Sequence, residues 1–198
     1  MNIKPSPKIA IAFSAERVIT ILNLEQFLAL LERDTTYELI DGKIQSKMSP
    51  KRFHSRLTGT LYLLLTNWSQ SKGEVGIKWG VTIQKNGKDL VSVPDLLYIS
   101  YDKLPQERFE DELCPFPPEL AIEIISPGQS FGYLSEKATD YLNAGILRVW
   151  IVDSQAKSIT IFYPDAPPKT KRGQQGLADE VLPELEITVE QIFQQSGI

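Results

Sequence analysis

Hydrophobic residues recur with a helical period in two stretches of the chain. In the first, Asn23 is a suitable N-cap residue, and apolar residues follow at i, i+3, i+4 and i+7, namely Leu24, Phe27, Leu28 and Leu31. In the second, from about His54 to Ser69, one apolar stripe is formed by Leu57, Leu61, Leu64, Leu65 and Trp68. Both patterns predict amphipathic helices that bury one face.

A period of two residues marks the segments around the second helix. Residues 37–44 predict a hairpin, because Asp41-Gly42 is a favoured type I′ turn between strand-forming residues. Hydrophobic residues alternate from Val75 to Ile83, which predicts a single half-buried strand. Asn86-Gly87 then turns the chain into a second strand that runs to Ile99.

The second half of the chain combines one long loop with short apolar runs. Residues 102–118 are charged and proline-rich and predict an exposed loop, and residues 120–125 form an apolar run typical of a central strand. A helix over 133–143 should end at Gly145, a suitable C′ residue. The remaining predictions are a buried strand at 149–152, its partner at 158–163, a mobile stretch at 164–176, a strand at 185–187 and a helical turn at 189–193.

This order of elements predicts the fold class. From residue 54 it is helix, three strands, helix, strand, which places a three-stranded meander against two helices and returns a fourth strand through a helical crossover. The fold is therefore α/β with a mixed sheet, preceded by the N-terminal helix and hairpin. We expect a loose N-terminal arm over 1–18 and a single domain over 19–198.

Composition limits the classes of protein to which this chain can belong. With 198 residues, 42% of them hydrophobic, the chain holds enough apolar material for a core. No apolar run approaches the roughly 20 residues that span a bilayer. The single cysteine, Cys114, cannot form an internal disulfide and fits a reducing compartment. We therefore expect a cytoplasmic protein that does not enter a membrane.

The formal net charge is −4, which argues against a protein that coats nucleic acid by bulk electrostatics. Local contact with DNA is compatible with this charge. Basic residues cluster at 47–56 and at 169–172, and each cluster is either a solvated loop or a phosphate contact.

Glu123 is the most informative polar position. It lies between Ile122 and Ile124 in an otherwise apolar strand, where an unpaired charge costs several kcal/mol. A carboxylate persists in such a place when it binds a metal, pairs with a cation or stays protonated for catalysis. The alternative is a glutamate at the solvent edge of the strand.

Asp95 follows Pro94, and a proline restricts a strand to an edge, a start or a bulge. A bulge re-aims side chains and would turn Asp95 inward beside Glu123. Two carboxylates on adjacent strands suit Mg²⁺ or Mn²⁺. The alternative is an ordinary Pro-Asp turn.

Three further residues carry little information by themselves. Lys137 lies in the helix that follows the Glu123 strand, where a surface lysine is the usual case. Glu38, beside the hairpin turn, favours an exposed position. His54, the single histidine, favours a surface position or the start of a helix.

Together these segments resemble the bacterial Uma-type restriction endonuclease family, which is placed in the PD-(D/E)xK nuclease superfamily. The resemblance covers roughly residues 24–194 and lies in the order and spacing of the segments. Its segments are Tyr37-Glu38-Leu39-Ile40-Asp41-Gly42, Met48-Ser49-Pro50 with His54, Val93-Pro94-Asp95, Leu120-Ala121-Ile122-Glu123-Ile124-Ile125-Ser126-Pro127, and Lys137-x-x-x-Tyr141-x-x-x-Gly145 with Trp150-Ile151-Val152-Asp153. The superfamily core has the same order of helix, three strands, helix, strand.

The resemblance implies a divalent-metal-dependent endonuclease that hydrolyses phosphodiester bonds of DNA. Asp95 and Glu123 would hold Mg²⁺ or Mn²⁺, with Glu38 as an additional acidic ligand, and Lys137 would supply the catalytic cation. The superfamily places a lysine two residues after the glutamate, whereas this chain has Ile125 there. A lysine of the following helix is the natural replacement.

The resemblance also implies a substrate-binding set. His54 would lie near the substrate phosphate, beside Lys51, Arg52 and Arg56. Assembly as a homodimer is expected by analogy with other such nucleases.

Two other functions compete with this interpretation. The missing lysine favours a non-catalytic module of the same fold that binds nucleic acid or a protein, and loss of divalent-metal binding in Asp95→Ala would argue against it. A different metal-dependent hydrolase would act on small phosphoesters instead of DNA.

Overall fold

The structure is a computed structural model that describes residues 23–28, 37–40, 42–46, 50–85, 87–108 and 110–198. Its helices are α1 (Leu24–Leu28), α2 (Arg52–Ser69), α3 (Phe131–Asn143) and α4 (Val189–Gln195). Its strands are β1 (Tyr37–Ile40), β2 (Lys43–Ser46), β3 (Gly73–Ile77), β4 (Val81–Lys85), β5 (Lys88–Ser92), β6 (Leu96–Ser100), β7 (Leu120–Ile124), β8 (Arg148–Asp153), β9 (Ser158–Phe162) and β10 (Lys169–Arg172). The expected arm over 1–18 lies outside the described residues.

A six-stranded mixed sheet in the order β10-β9-β8-β7-β6-β3 forms the centre of the fold. Strands β3, β6 and β7 pair antiparallel as the predicted meander. Helix α3 then carries the chain across to β8, which pairs parallel to β7 with Glu123 opposite Ile151. The α/β class, the mixed sheet and the helical crossover are confirmed.

A second, four-stranded sheet has the order β2-β1-β5-β4. The predicted hairpin supplies β1 and β2, which pair antiparallel with Leu39 opposite Ile44. Gly42 has the positive φ of 73° that its turn requires, and Asp41 lies outside the described residues. Leu39 also faces Val91 of β5, which attaches the hairpin to the rest of the chain.

The prediction of single strands over 75–83 and 88–99 is wrong. Each of these segments is broken in the middle, so that β3 and β6 join the large sheet while β4 and β5 join the small one. The break on one side contains Lys78, with a φ of 50°, and Gly80, where a Cβ would lie 2.8 Å from Leu113. The break on the other side contains Pro94, which has no amide hydrogen for a ladder. Hydrophobic residues continue to alternate on both sides of each break, so the alternation alone does not show that the strand is broken.

Two core clusters cover the two faces of the large sheet. On one face, α2 and α4 pack on the even-numbered residues of β7, through Leu61, Ile192 and Ile122 among others. On the other face, α3 packs through Leu134 and Ala138 on Ala121 and its neighbours. Because neighbouring residues of a strand face opposite ways, Glu123 falls on the α3 face with Ala121.

The C-terminal part differs from the sequence prediction in two places. The stretch 164–176 contains β10, which pairs antiparallel with β9 through Thr170 and Thr160. Residues 185–187 are not a strand, although Leu185 and Ile187 are buried as an apolar alternation requires. The helical turn is confirmed as α4, where the side chain of the N-cap residue Thr188 accepts a hydrogen bond from the amide of Gln191. No helix among the described residues is long and apolar enough to cross a membrane.

The end of the crossover helix gives a test of the fold. Gly145 has a φ of 96°, which an L-residue adopts only with strain, so Gly145→Ala should lower the free energy of unfolding by about 1–2 kcal/mol. At Gly132, inside the same helix, an added Cβ would lie 3.9 Å from Oγ of Ser130, which is an ordinary van der Waals contact. Gly132→Ala should therefore be neutral or stabilising by up to about 1 kcal/mol. Urea denaturation of both variants measures the contrast, and equal effects would contradict it.

Candidate active site

Asp95 lies where the broken strands pass from one sheet to the other. Its amide donates to the carbonyl of Ile122 at 2.9 Å, and its carbonyl accepts from the amide of Lys78 at 3.1 Å. These two bonds hold the residue at the start of β6. Its side chain then turns to β7, where Oδ2 accepts from the amide of Ile124 at 2.9 Å. The carboxylate of Asp95 thus lies against the peptide that follows Glu123, on the neighbouring strand.

Glu123 is buried in the middle of β7, with 3% of the residue exposed. Its Oε1 accepts from the hydroxyl of Tyr141 at 2.8 Å and lies 2.8 Å from Nζ of Lys137. Both donors belong to α3 and are one helical turn apart. The crossover helix therefore offsets the energetic cost of burying this carboxylate, because it supplies a cation and a hydroxyl hydrogen.

Lys137 is buried between two carboxylates instead of lying on the surface. Its Nζ donates to Oε1 of Glu38 at 2.7 Å as well as contacting Glu123, an arrangement called the lysine bridge below. Burial alone lowers the pKa of this amine, but the charges of Glu123 and Glu38 outweigh burial and raise the pKa well above 10.5. Lys137 is therefore a permanent cation at neutral pH.

Glu38 reaches the same place from the hairpin. It is 3% exposed, and its Oε1 accepts from the amide of Val93 at 2.8 Å and from the hydroxyl of Ser92 at 3.2 Å. The exposed position that the residues alone favoured is wrong, because β1 is covered once it joins the second sheet. The resemblance had already placed Glu38 at the site.

His54 contacts Asp95 directly. Its Nε2 lies 3.0 Å from Oδ2 of Asp95, where an imidazole N–H donates to the carboxylate. Its Nδ1 lies 3.3 Å from the hydroxyl of Thr58, one turn further along α2. His54 lies in the first turn of α2, as the sequence predicted, but with 7% exposure it is not a surface residue.

The basic residues expected to bind substrate do not line the pocket that contains Asp95 and Glu123. Lys51, Arg52 and Arg56 are exposed around the first turns of α2. Arg56 donates through Nε to the carbonyl of Ser196, so its side chain is turned to the C-terminal segment. Lys78, at the break between β3 and β4, lines the pocket instead and was not singled out in the sequence.

A pocket of about 230 Å³ brings the acidic residues together. Its walls come from both sheets, from α2 and α3, and from the turn after β7. The lining residues are Glu38, Gln45, His54, Lys78, Asp95, Glu123, Ser126, Pro127, Gly128, Gln129, Tyr133 and Lys137. Two residues behind this lining had no predicted role at the site: Ser92 was not singled out, and Tyr141 was named only as part of the family pattern. The i, i+4 spacing of Lys137 and Tyr141 shows that the two side chains share one helix face, but not what the hydroxyl of Tyr141 contacts.

The acidic residues fit a partly hydrated divalent cation better than a closed metal cage. Within the described ranges, no three Asp, Glu, His or Cys side chains form a group that could hold a metal ion. Mg²⁺ does not need such a group, because it is usually bound by one or two carboxylates together with waters and substrate phosphates. Asp95 and Glu123, on adjacent strands and lining one pocket, are the suitable pair.

The mixed sheet, the crossover helix and the carboxylates at the sheet break define a restriction-endonuclease-like α/β protein. The chain belongs to the Uma2 family, described as "Putative restriction endonuclease", whose model matches residues 24–190. A solved structure with the same fold is the "putative nuclease belonging to DUF820" from Anabaena variabilis ATCC 29413. It has a TM-score of 0.78 and 20% identity, and the alignment covers 88% of this chain and 99% of that one. No curated protein matches this chain.

The contact between α2 and Asp95 can be tested by stability. His54→Ala removes one donor from a buried carboxylate and should lower the free energy of unfolding by about 1–3 kcal/mol. Ser55→Ala, at the next and exposed position of the same helix, should change it by about 0.5 kcal/mol or less. Chemical denaturation without divalent ions makes the comparison. Similar values for the two variants would show that the histidine contact does not support the fold.

Proposed function

We propose that the protein is a divalent-metal-dependent nuclease that hydrolyses phosphodiester bonds of DNA. The observation that carries the proposal is the position of Lys137. Its ammonium group lies 2.8 Å from Glu123, although the sequence lacks the lysine that usually follows this glutamate. A cation from α3 therefore stands beside the acidic pair.

The alternative sources of this cation are unsuitable. Ile125, at the usual lysine position, donates its amide to Val152 and packs with the α3-side core. Arg148 begins β8 at the end of the strand that pairs with Leu120, and its guanidinium bonds Asp179 at 2.6 Å. It is therefore not part of the pocket lining.

Asp95 and Glu123 would hold the divalent ion, with Glu38 near enough to line the same pocket. When bound, Mg²⁺ or Mn²⁺ lowers the pKa of a coordinated water and neutralises charge on the phosphate. His54 and the amide of Ile124 hold the Asp95 carboxylate in place for this task. Such fixed orientation of ligands by their neighbours supports metal affinity.

Lys137 would act on the phosphate itself. An ammonium group has three hydrogens, of which two are directed at Glu38 and Glu123. The residue also lines the pocket, and in the proposed reaction its charge would stabilise the negative charge that develops on the pentacoordinate phosphate. The raised pKa keeps it protonated throughout the neutral range.

Contacts to DNA outside the reacting phosphate would come from basic residues around the pocket. Lys78 is part of the lining, and Lys51 and Arg52 are exposed next to His54 at the start of α2. The family description supports a nucleic acid as the substrate. The net charge of −4 requires that these contacts remain local.

The proposal is tested by cleavage of single- and double-stranded DNA with Mg²⁺, with Mn²⁺ and with a chelator. The native chain should cut only when the metal is present, and Asp95→Asn and Glu123→Gln should each lose about 100-fold or more of the rate. Asp153→Asn is the matched control, because this carboxylate caps a turn at Gln155 away from the pocket. Native protein that binds DNA and metal but never cuts would identify a non-catalytic module instead.

Lys137→Met tests whether the lysine both stabilises the fold and supplies the catalytic cation. Without metal, it leaves two buried carboxylates without their cation and should lower stability by about 3 kcal/mol. Mg²⁺ should restore part of this stability, because it supplies the missing charge, while cleavage should remain absent.

Lys85→Met is the control for this variant, since Lys85 bonds the same helix at Asp140 from a half-exposed position. Its loss should cost less than about 1 kcal/mol and leave cleavage intact. Thermal unfolding with and without Mg²⁺ measures the difference. Full cleavage by Lys137→Met would show that the catalytic cation comes from elsewhere.

A further inference from the structure

Tyr141 contacts the acidic site from behind, within the core under α3. Its side chain is completely buried, and its ring packs in the cluster that contains Ala138 and Ile151. Its hydroxyl lies 2.8 Å from Oε1 of Glu123 and 2.8 Å from the hydroxyl of Ser92. A phenylalanine would satisfy the packing, so the hydroxyl itself needs an explanation.

The hydrogens of this group can be assigned from chemistry. A carboxylate has no hydrogen to give, so the hydrogen of Tyr141 is donated to Glu123. The single hydrogen of Ser92 then faces two acceptors, the hydroxyl of Tyr141 at 2.8 Å and Oε1 of Glu38 at 3.2 Å, and its contact with Tyr141 is the shorter one. Burial and the negative charge of Glu123 both raise the pKa of Tyr141, in keeping with its place as a donor to that carboxylate.

Two donors of α3 therefore converge on a single oxygen of Glu123. Nζ of Lys137 lies 2.8 Å from Oε1, and the hydroxyl of Tyr141, one turn later, donates to the same atom at 2.8 Å. A carboxylate held at one oxygen from two directions has little freedom to rotate about its last torsion. The direction in which it meets a cation is then set by α3 before any cation arrives.

We infer that Tyr141 is a positioning residue, which orients the Glu123 carboxylate for the divalent ion through its hydroxyl. Ser92 supports it from the second sheet. The inference rests on the proposed function, because it concerns the same ion. It predicts an effect on metal affinity that exceeds any effect on packing, since Tyr141→Phe keeps the ring and removes one oxygen.

Tyr98→Phe is the matched control. Tyr98 is also buried at 4% exposure, and its hydroxyl donates to the carbonyl of Lys72 at 3.4 Å, with neither residue in the pocket lining. Burial raises its pKa to about 12, so it too stays protonated. Removal of this hydroxyl tests the general cost of deleting a buried tyrosine oxygen.

The experiment is a calorimetric titration of the full chain with Mn²⁺, followed by DNA cleavage across a range of Mn²⁺ concentrations. Tyr141→Phe should bind Mn²⁺ about 10-fold more weakly or worse, and half-maximal cleavage should move to correspondingly higher Mn²⁺. Tyr98→Phe should leave both values unchanged. Native Mn²⁺ affinity in Tyr141→Phe would overturn the inference, and so would an equal loss in Tyr98→Phe.

The outcomes separate this inference from the proposed function. If the native chain binds Mn²⁺ but cuts no DNA, the proposed function fails while the affinity comparison still decides the role of Tyr141. If the native chain binds no Mn²⁺, both are overturned. If Tyr141→Phe does not fold, Ser92→Ala takes its place and should also weaken Mn²⁺ binding, so an unchanged affinity in that variant would overturn the inference.

Discussion

The lysine bridge is the interaction on which the site depends. Glu38 belongs to the N-terminal hairpin, Glu123 to the central strand and Lys137 to the crossover helix, and one ammonium group contacts both carboxylates at 2.7 and 2.8 Å. Removing one member of a buried ion pair costs several kcal/mol, so none of these elements can shift alone without exposing or isolating a charge. The bridge therefore fixes the second sheet and α3 relative to β7, and the pocket exists only where all three meet.

The sequence predicted the architecture of the large sheet but not the way its strands end. The meander and the crossover follow from the spacing of apolar runs, because these runs and the helix over 131–143 are local patterns. The break that moves the chain from one sheet to the other is not local. It depends on the packing of Gly80 against Leu113 and on the pairing of Lys78 with Asp95. Strand β10 was missed for the same reason, since its residues are charged and its order comes from pairing with β9.

A residue of the candidate site could be predicted from the sequence when its chemical type is unusual among its sequence neighbours. Glu123 stands in an apolar strand and Asp95 follows a proline, so both were visible in the sequence. Lys137, Glu38 and His54 occupy positions that look exposed, and only the resemblance selected them, because their burial arises from tertiary contacts. Tyr141 presents the opposite difficulty. An aromatic residue on the apolar face of a helix is typical of a core, and nothing in the sequence separates its ring from the task of its hydroxyl.

The bridge also explains how such a site can form before it receives an ion. Many metal sites leave their ligands uncompensated without the metal, and their folding then depends on binding. Here Lys137 is a covalently attached cation, so one of the two negative charges of Glu38 and Glu123 is balanced as soon as α3 docks on the sheet. In the proposed function, a divalent ion would enter a preformed pocket and share Glu123 with the lysine. Its affinity would depend on that shared carboxylate, because the cation that stabilises the fold also reduces the negative charge that attracts the metal. In the proposed reaction the same charge is what the phosphate requires, so a single lysine serves the fold without metal and the chemistry with it.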